Sequence, residues 1–121
     1  VYFTSRVLEG RRLGKFLLLS ECGGFSRRVN GHVSRGRKNY GYGEQCRSEG
    51  ELTGRIRAMY DEMVLPSIPN GLCGCVYTQL SDVEGETNGL YTYDREVCKV
   101  DARAMRELAK RLRDALEDAC T

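Results

Sequence analysis

Glu21 is the first residue in this sequence placed to do chemistry. It closes the apolar run Lys15–Glu21, and Gly23-Gly24 follow, so the backbone is free to turn sharply beside the carboxylate. A carboxylate in that position is costly to desolvate and needs partners. It is either a reactive group or a structural one that caps a nearby helix or pairs with Arg27 or Arg28. His32 is the only histidine, which leaves no His-based metal cluster, so no metal is expected and the ring reads as solvated or packed in a loop. Gly41-Tyr-Gly43 resembles a piece of a phosphate loop but neither follows a strand nor opens a helix with Lys-Ser/Thr. Tyr40 and Tyr42 could stack on a sugar or base, or pack against neighbouring structure. Asp82, Glu84 and Glu86 form an acidic trio that fits a solvated loop or a site for a metal or sugar hydroxyls.

These side chains need elements to hold them. Lys15–Glu21 has the pattern of a strand buried on both faces, as in a parallel sheet. Residues 22–47 form a Gly-, Arg- and Tyr-rich loop of a length that is usually functional. Ser48-x-x-Glu51 is a capping box, and Leu52, Ile56, Met59, Tyr60, Met63 and Val64 fall at helical spacing up to Pro66, which is expected to stop the run. A second buried strand, Leu72–Gln79, leads into an acidic loop, Ser81–Thr92. Asp101 then caps a final helix whose apolar face carries Met105, Leu108, Ala109, Leu112, Ala115, Leu116 and Ala119, with Glu107 and Arg111 as an i,i+4 pair. The order strand, loop, helix, strand, loop, helix predicts parallel strands joined by a right-handed crossover, with chemistry at their C-terminal ends. Those ends are Ser20-Glu21 and Thr78-Gln79.

Composition narrows the classes. The chain has 121 residues, 40% hydrophobic and 30% charged, and reads as a single unit over residues 1–121. Its longest apolar run, Phe16–Leu19, is far short of the ~20 residues a bilayer span needs. The net charge of +2 hides an asymmetry: residues 1–50 carry ten Lys/Arg against four Asp/Glu, and residues 51–121 nine against thirteen. No recognised binding motif accompanies the basic pairs, so neither nucleic acid nor membrane is an expected partner. Six cysteines, three of them (Cys22, Cys73, Cys75) in apolar strand-like runs, read as free thiols rather than a disulfide framework, which points to the cytoplasm. No signal peptide is visible, and the opening Val-Tyr-Phe without an initiator Met suggests a processed or excised piece.

Several ordered blocks carry a more specific signal. Ser20-Glu-Cys-Gly-Gly-Phe-Ser26, Val29-x-Gly-His32, Lys38-Asn-Tyr-Gly-Tyr-Gly43, Val76-Tyr-Thr-Gln-Leu-Ser-Asp-Val-Glu84 and Asn88-Gly-Leu-Tyr-Thr-Tyr-Asp94 resemble the C-terminal end of the catalytic barrel in glycoside hydrolase family 2, the β-galactosidase and β-glucuronidase group. The resemblance implies an α/β fold: a C-terminal βαβα portion of a (β/α)8 TIM barrel, with Lys15–Glu21 as strand seven and Leu72–Gln79 as strand eight. By the same resemblance Glu21 is the catalytic nucleophile, Cys22 replaces the usual aromatic, and Gln79 and Asp82 lie near the rim of the sugar subsite, where Tyr40 is a further candidate for substrate binding. No cofactor is implied.

The family's acid/base follows an Asn at the end of strand four, and no Asn-Glu dipeptide occurs here. A full barrel also needs ~250 residues. The expectation is therefore half of a catalytic pair: a chain inactive alone, completed by the N-terminal part of a barrel, acting on a carbohydrate, and self-associating when isolated. The competing readings are a free-standing α/β interaction module whose basic half binds an acidic partner, and a degenerate barrel piece kept as a carbohydrate-binding surface.

Overall fold

The computed structural model describes residues 6–8, 14–34 and 42–121. Strands β1 (Leu17–Gly23), β2 (Phe25–Arg27) and β3 (Tyr42–Cys46) precede helix α1 (Glu49–Met59). A π turn (Tyr60–Val64), the short α2 (Leu65–Ser67) and a 3-10 turn (Ile68–Asn70) lead into β4 (Leu72–Thr78), and α3 (Ala102–Cys120) follows. The result is a small mixed α/β unit with short parallel strands. β1 pairs with β4, and β2 with β3, in two two-stranded sheets. The second pair lies within the stretch expected to be loop. Its strands are too short, three and five residues, to show an alternating pattern.

The capping box forms. Ser48 accepts from the Glu51 backbone N–H, and Glu51 reaches back to the Arg47 N–H. Leu52, Ile56 and Met59 then enter the core with Leu19, Cys22, Met63, Val64 and Leu72. Pro66, however, does not end the helical path. The Leu65 N–H bonds to the Tyr60 carbonyl, five residues back, and this widened turn accommodates a residue with no N–H of its own. Ser67 Oγ meets the Met63 carbonyl and also accepts from the Leu8 N–H at 2.7 Å. The path stops at Gly71, whose φ of 107° is left-handed and whose N–H bonds to the Ile68 carbonyl.

A second difference concerns β1, expected to be buried on both faces. Leu19 and Cys22 do pack toward the helices, but Leu18 is 60% exposed, Val76 on β4 55%, and Phe16 91%. Among the described residues the helices cover one face of the β1–β4 sheet, and the other face is open.

On α3, Asp101 caps the first turn by accepting from the Arg103 and Ala104 N–H groups. The Asp101 N–H bonds in turn to Thr53 Oγ1 at 3.0 Å, which ties α3 to α1. Only Leu108 is buried; Met105 and Leu112 are partly so, and Leu116 and Ala119 are exposed. The expected Glu107–Arg111 pair gives way to tertiary geometry: Arg111 reaches Asp61 at 2.8 Å, and Glu107 meets Arg103 at 3.4 Å. All six cysteines are free, with Cys22 and Cys46 buried but Cys73 and Cys120 exposed. No helix among the described residues is long and apolar enough to cross a membrane.

Candidate functional site

The register of β1 against β4 explains how Glu21 is presented. Leu19 faces Cys75 and Cys22 faces Tyr77, so Ser20 and Glu21 together oppose the single residue Val76. This bulge leaves both Ser20 and Glu21 exposed, where strict alternation would turn one inward. Thr78, at the end of the neighbouring strand, donates from Oγ1 to Glu21 Oε1 at 3.1 Å. Behind the carboxylate the chain must turn at once. Gly23 has φ 90°, and a Cβ there would collide with the Tyr77 ring, so no other residue fits. The Gly24 N–H then bonds to the Thr78 carbonyl at 2.8 Å, locking the two strand ends together.

Gln79 follows Thr78 through a cis peptide. Its Nε2 donates to Asn88 Oδ1 at 2.6 Å and to Glu86 Oε2 at 2.9 Å. The strand ends thus bring Glu21, Thr78, Gln79 and Glu86 to one rim. Tyr40 lies outside the described residues. Arg27, a candidate partner for Glu21 in the sequence, donates from Nη1 to the Lys99 carbonyl at 2.8 Å.

The acidic trio divides. Glu84 and Glu86 are exposed, but Asp82 is buried and lies beneath the rim, not in a solvated loop. Its Oδ1 accepts from Lys99 Nζ at 2.7 Å and from the Gly89 N–H at 2.8 Å. Lys99 is wholly buried and also donates to the Thr87 carbonyl at 2.9 Å, while Thr87 Oγ1 meets Ser26 Oγ at 2.6 Å. Burial pushes the Asp82 carboxyl up and the Lys99 ammonium down, and their mutual attraction opposes both shifts. This pair holds the 79–91 segment in place, so Asp82 acts on the rim through the backbone it anchors. Sequence reasoning missed Lys99 because nothing in Val97-Cys-Lys-Val100 distinguishes a buried lysine from a solvated one.

Two further groupings emerge only in three dimensions. Beneath the sheet, the neighbouring Cys22 first, and then Tyr60, whose Oη is 3.9 Å from Cys75 Sγ, hold Cys75 down to about 6 against the opposing effect of burial. Cys22 is correspondingly pushed up. Separately, His32 comes from 62 residues away to meet Asp94, its Nδ1 2.7 Å from Asp94 Oδ2.

Neither protein-family models nor curated proteins give a match to this chain.

Proposed function

We propose that this chain is the C-terminal βαβα part of a (β/α)8 barrel in a retaining β-glycosidase resembling glycoside hydrolase family 2, with Glu21 as the nucleophile. One observation carries the reading. Glu21 stands exposed on a bulge at the C-terminal end of a parallel strand, hydrogen-bonded to Thr78, beside Gln79 and above the uncovered apolar residues Leu18 and Val76. In a closed barrel the C-terminal strand ends bear the active site and the inward face is filled by side chains from other strands. An open apolar face below a reactive carboxylate is what a part of such a barrel would present.

The chemistry follows from two carboxyl groups ~5–5.5 Å apart. Glu21 attacks the anomeric carbon while a second carboxylic acid protonates the leaving oxygen. Water, deprotonated by that second group, then releases the sugar from Glu21. Thr78 donates from Oγ1 to Glu21 Oε1 and helps to fix the carboxylate at the strand end. Gln79 would meet sugar hydroxyls at the rim. The second carboxyl group belongs to the part of the barrel this chain does not contain.

In the complete enzyme, a 2-deoxy-2-fluoro glycoside with a good leaving group should label Glu21 covalently, as read by peptide mapping. Glu21→Gln should lower kcat by about 10⁴-fold or more, the scale at which nucleophiles are lost. Turnover of an aryl β-glycoside by the 121-residue chain itself, abolished by Glu21→Gln, would overturn the expectation that it is inactive alone.

An acidic partner is favoured by a different observation. Arg28, Arg47 and Arg55 line an open depression of about 680 Å³ together with Glu44 and Glu51. Two of its walls are fixed, since Arg55 donates to the Glu44 carbonyl at 2.6 Å and the Arg47 N–H to Glu51. Polyanion binding that weakens steeply with salt would support this second reading.

A further inference from the structure

We infer that His32, Asp94 and Glu96 form a binding site for one divalent first-row transition cation. The proposal is independent of the glycosidase reading, since two-carboxylate glycoside hydrolysis requires no metal.

The three side chains come from two turns. His32 follows Gly31, which has φ 85°, in a turn where the His32 N–H bonds to the Val29 carbonyl at 3.1 Å. Asp94 and Glu96 sit on a tight reversal closed by the Thr92 N–H to the Val97 carbonyl at 3.0 Å. Arg95 between them adopts φ 63°, which brings Asp94 and Glu96 to the same side. Asp94 Oδ1 is occupied by Thr92 Oγ1 and by the Glu96 N–H, so Oδ2 is left to face His32.

The His32–Asp94 contact has the length of a charge-assisted hydrogen bond, and Glu96 stands just beyond that reach. His32 Nδ1 is 2.7 Å from Asp94 Oδ2 and 3.9 Å from Glu96 Oε2. One ring nitrogen carries one proton, which can satisfy one of these carboxylates. A divalent cation answers both: it neutralises two carboxylates and takes the Nδ1 lone pair, with the ring proton on Nε2. One ligand atom from each residue already lies within 4.8 Å of the others. Bonds of about 2.0–2.2 Å to nitrogen and oxygen set neighbouring ligand atoms roughly 3–3.5 Å apart, so Nδ1 and Oδ2 would part slightly while Glu96 Oε2 draws in. Glu96, with a side chain 71% exposed, is free to close that gap. His32 and Asp94 are largely shielded, at 29% and 23%, and the open side leaves room for water ligands. One imidazole with two carboxylates favours manganese, iron, cobalt or zinc over calcium or magnesium. Such an ion would clamp the turn after β2 to the 91–98 reversal.

Mn²⁺ is the suitable probe, because the exposed thiols of Cys73 and Cys120 would capture softer ions. Titration of the 121-residue chain, followed by loss of the free-ion electron paramagnetic resonance signal, should show one bound Mn²⁺ per chain. His32→Ala and Asp94→Asn should each weaken it by at least about tenfold. Glu96→Gln should weaken it by about threefold or more; its exposed position keeps the test open if either other variant unfolds. Absence of saturable binding below about 1 mM, or parent-like binding by any folded variant, would overturn the site.

Discussion

Cys75 shows how local environment resets a side chain's chemistry. Its thiol lies against Cys22 and within 3.9 Å of Tyr60 Oη, and these two neighbours, Cys22 the larger influence, hold it down to about 6 despite partial burial. Alkylation of Cys75 should therefore rise through a midpoint near pH 6 and level off above pH 7. Cys22→Ala removes the neighbour that lowers it most, so the midpoint should move upward, measurable by mass spectrometry of the Cys75 peptide across a pH series. Glu21 illustrates the same dependence in another form. Its exposure follows from the bulge that places it beside Ser20 opposite Val76.

Among the elements, the 79–101 segment is informative because it contains no strand or helix and yet buries the polar residues Asp82, Thr87, Asn88, Thr92 and Lys99. The Lys99–Asp82 pair closes it on itself, and the Ser26–Thr87 contact and the Arg27–Lys99 bond fasten it to β2. Removing one member of a buried pair leaves the other charge uncompensated. Lys99→Met should thus lower stability by about 3–5 kcal/mol, with Lys99→Met/Asp82→Asn recovering part of the loss, both read from denaturant midpoints. The helical path through Pro66 is a second case where an element departs from local rules. The wide turn at Tyr60–Val64 and the Ser67 hydroxyl accommodate a proline that would otherwise end the helix.

At the scale of the whole molecule, the open sheet face governs behaviour in solution. Leu18 and Val76, on neighbouring strands, have more than half their surface in water. Apolar surface of this kind drives association, at roughly 1.5–3 kcal/mol for each large side chain it buries. The isolated chain should self-associate, and Leu18→Ser/Val76→Thr should weaken that association by about tenfold or more. Because both side chains are already exposed, thermal stability should change by less than about 1 kcal/mol. Light scattering and melting curves on the same samples separate the two effects. A complete barrel would bury this face and remove the tendency.

The sequence by itself determined the features that depend on neighbours along the chain. The apolar run at Leu17–Leu19, the Ser48 and Asp101 caps and the order strand, helix, strand, helix are written in local spacing, and the structure contains them. The rim at Glu21 and Gln79 was legible for the same reason, since both residues end apolar runs. What depended on residues far apart was not. The bulge at Ser20-Glu21 arises from pairing with a strand more than fifty residues away. Asp82 read as a loop acid until Lys99 was brought against it, and Glu107 lost its expected partner because Asp61 approached Arg111. His32 had no metal-ligating companion within reach in sequence, and only the fold sets Asp94 and Glu96 beside it. Tertiary structure decided these points because hydrogen bonds and ion pairs act over a few ångströms in space, whatever the distance along the chain.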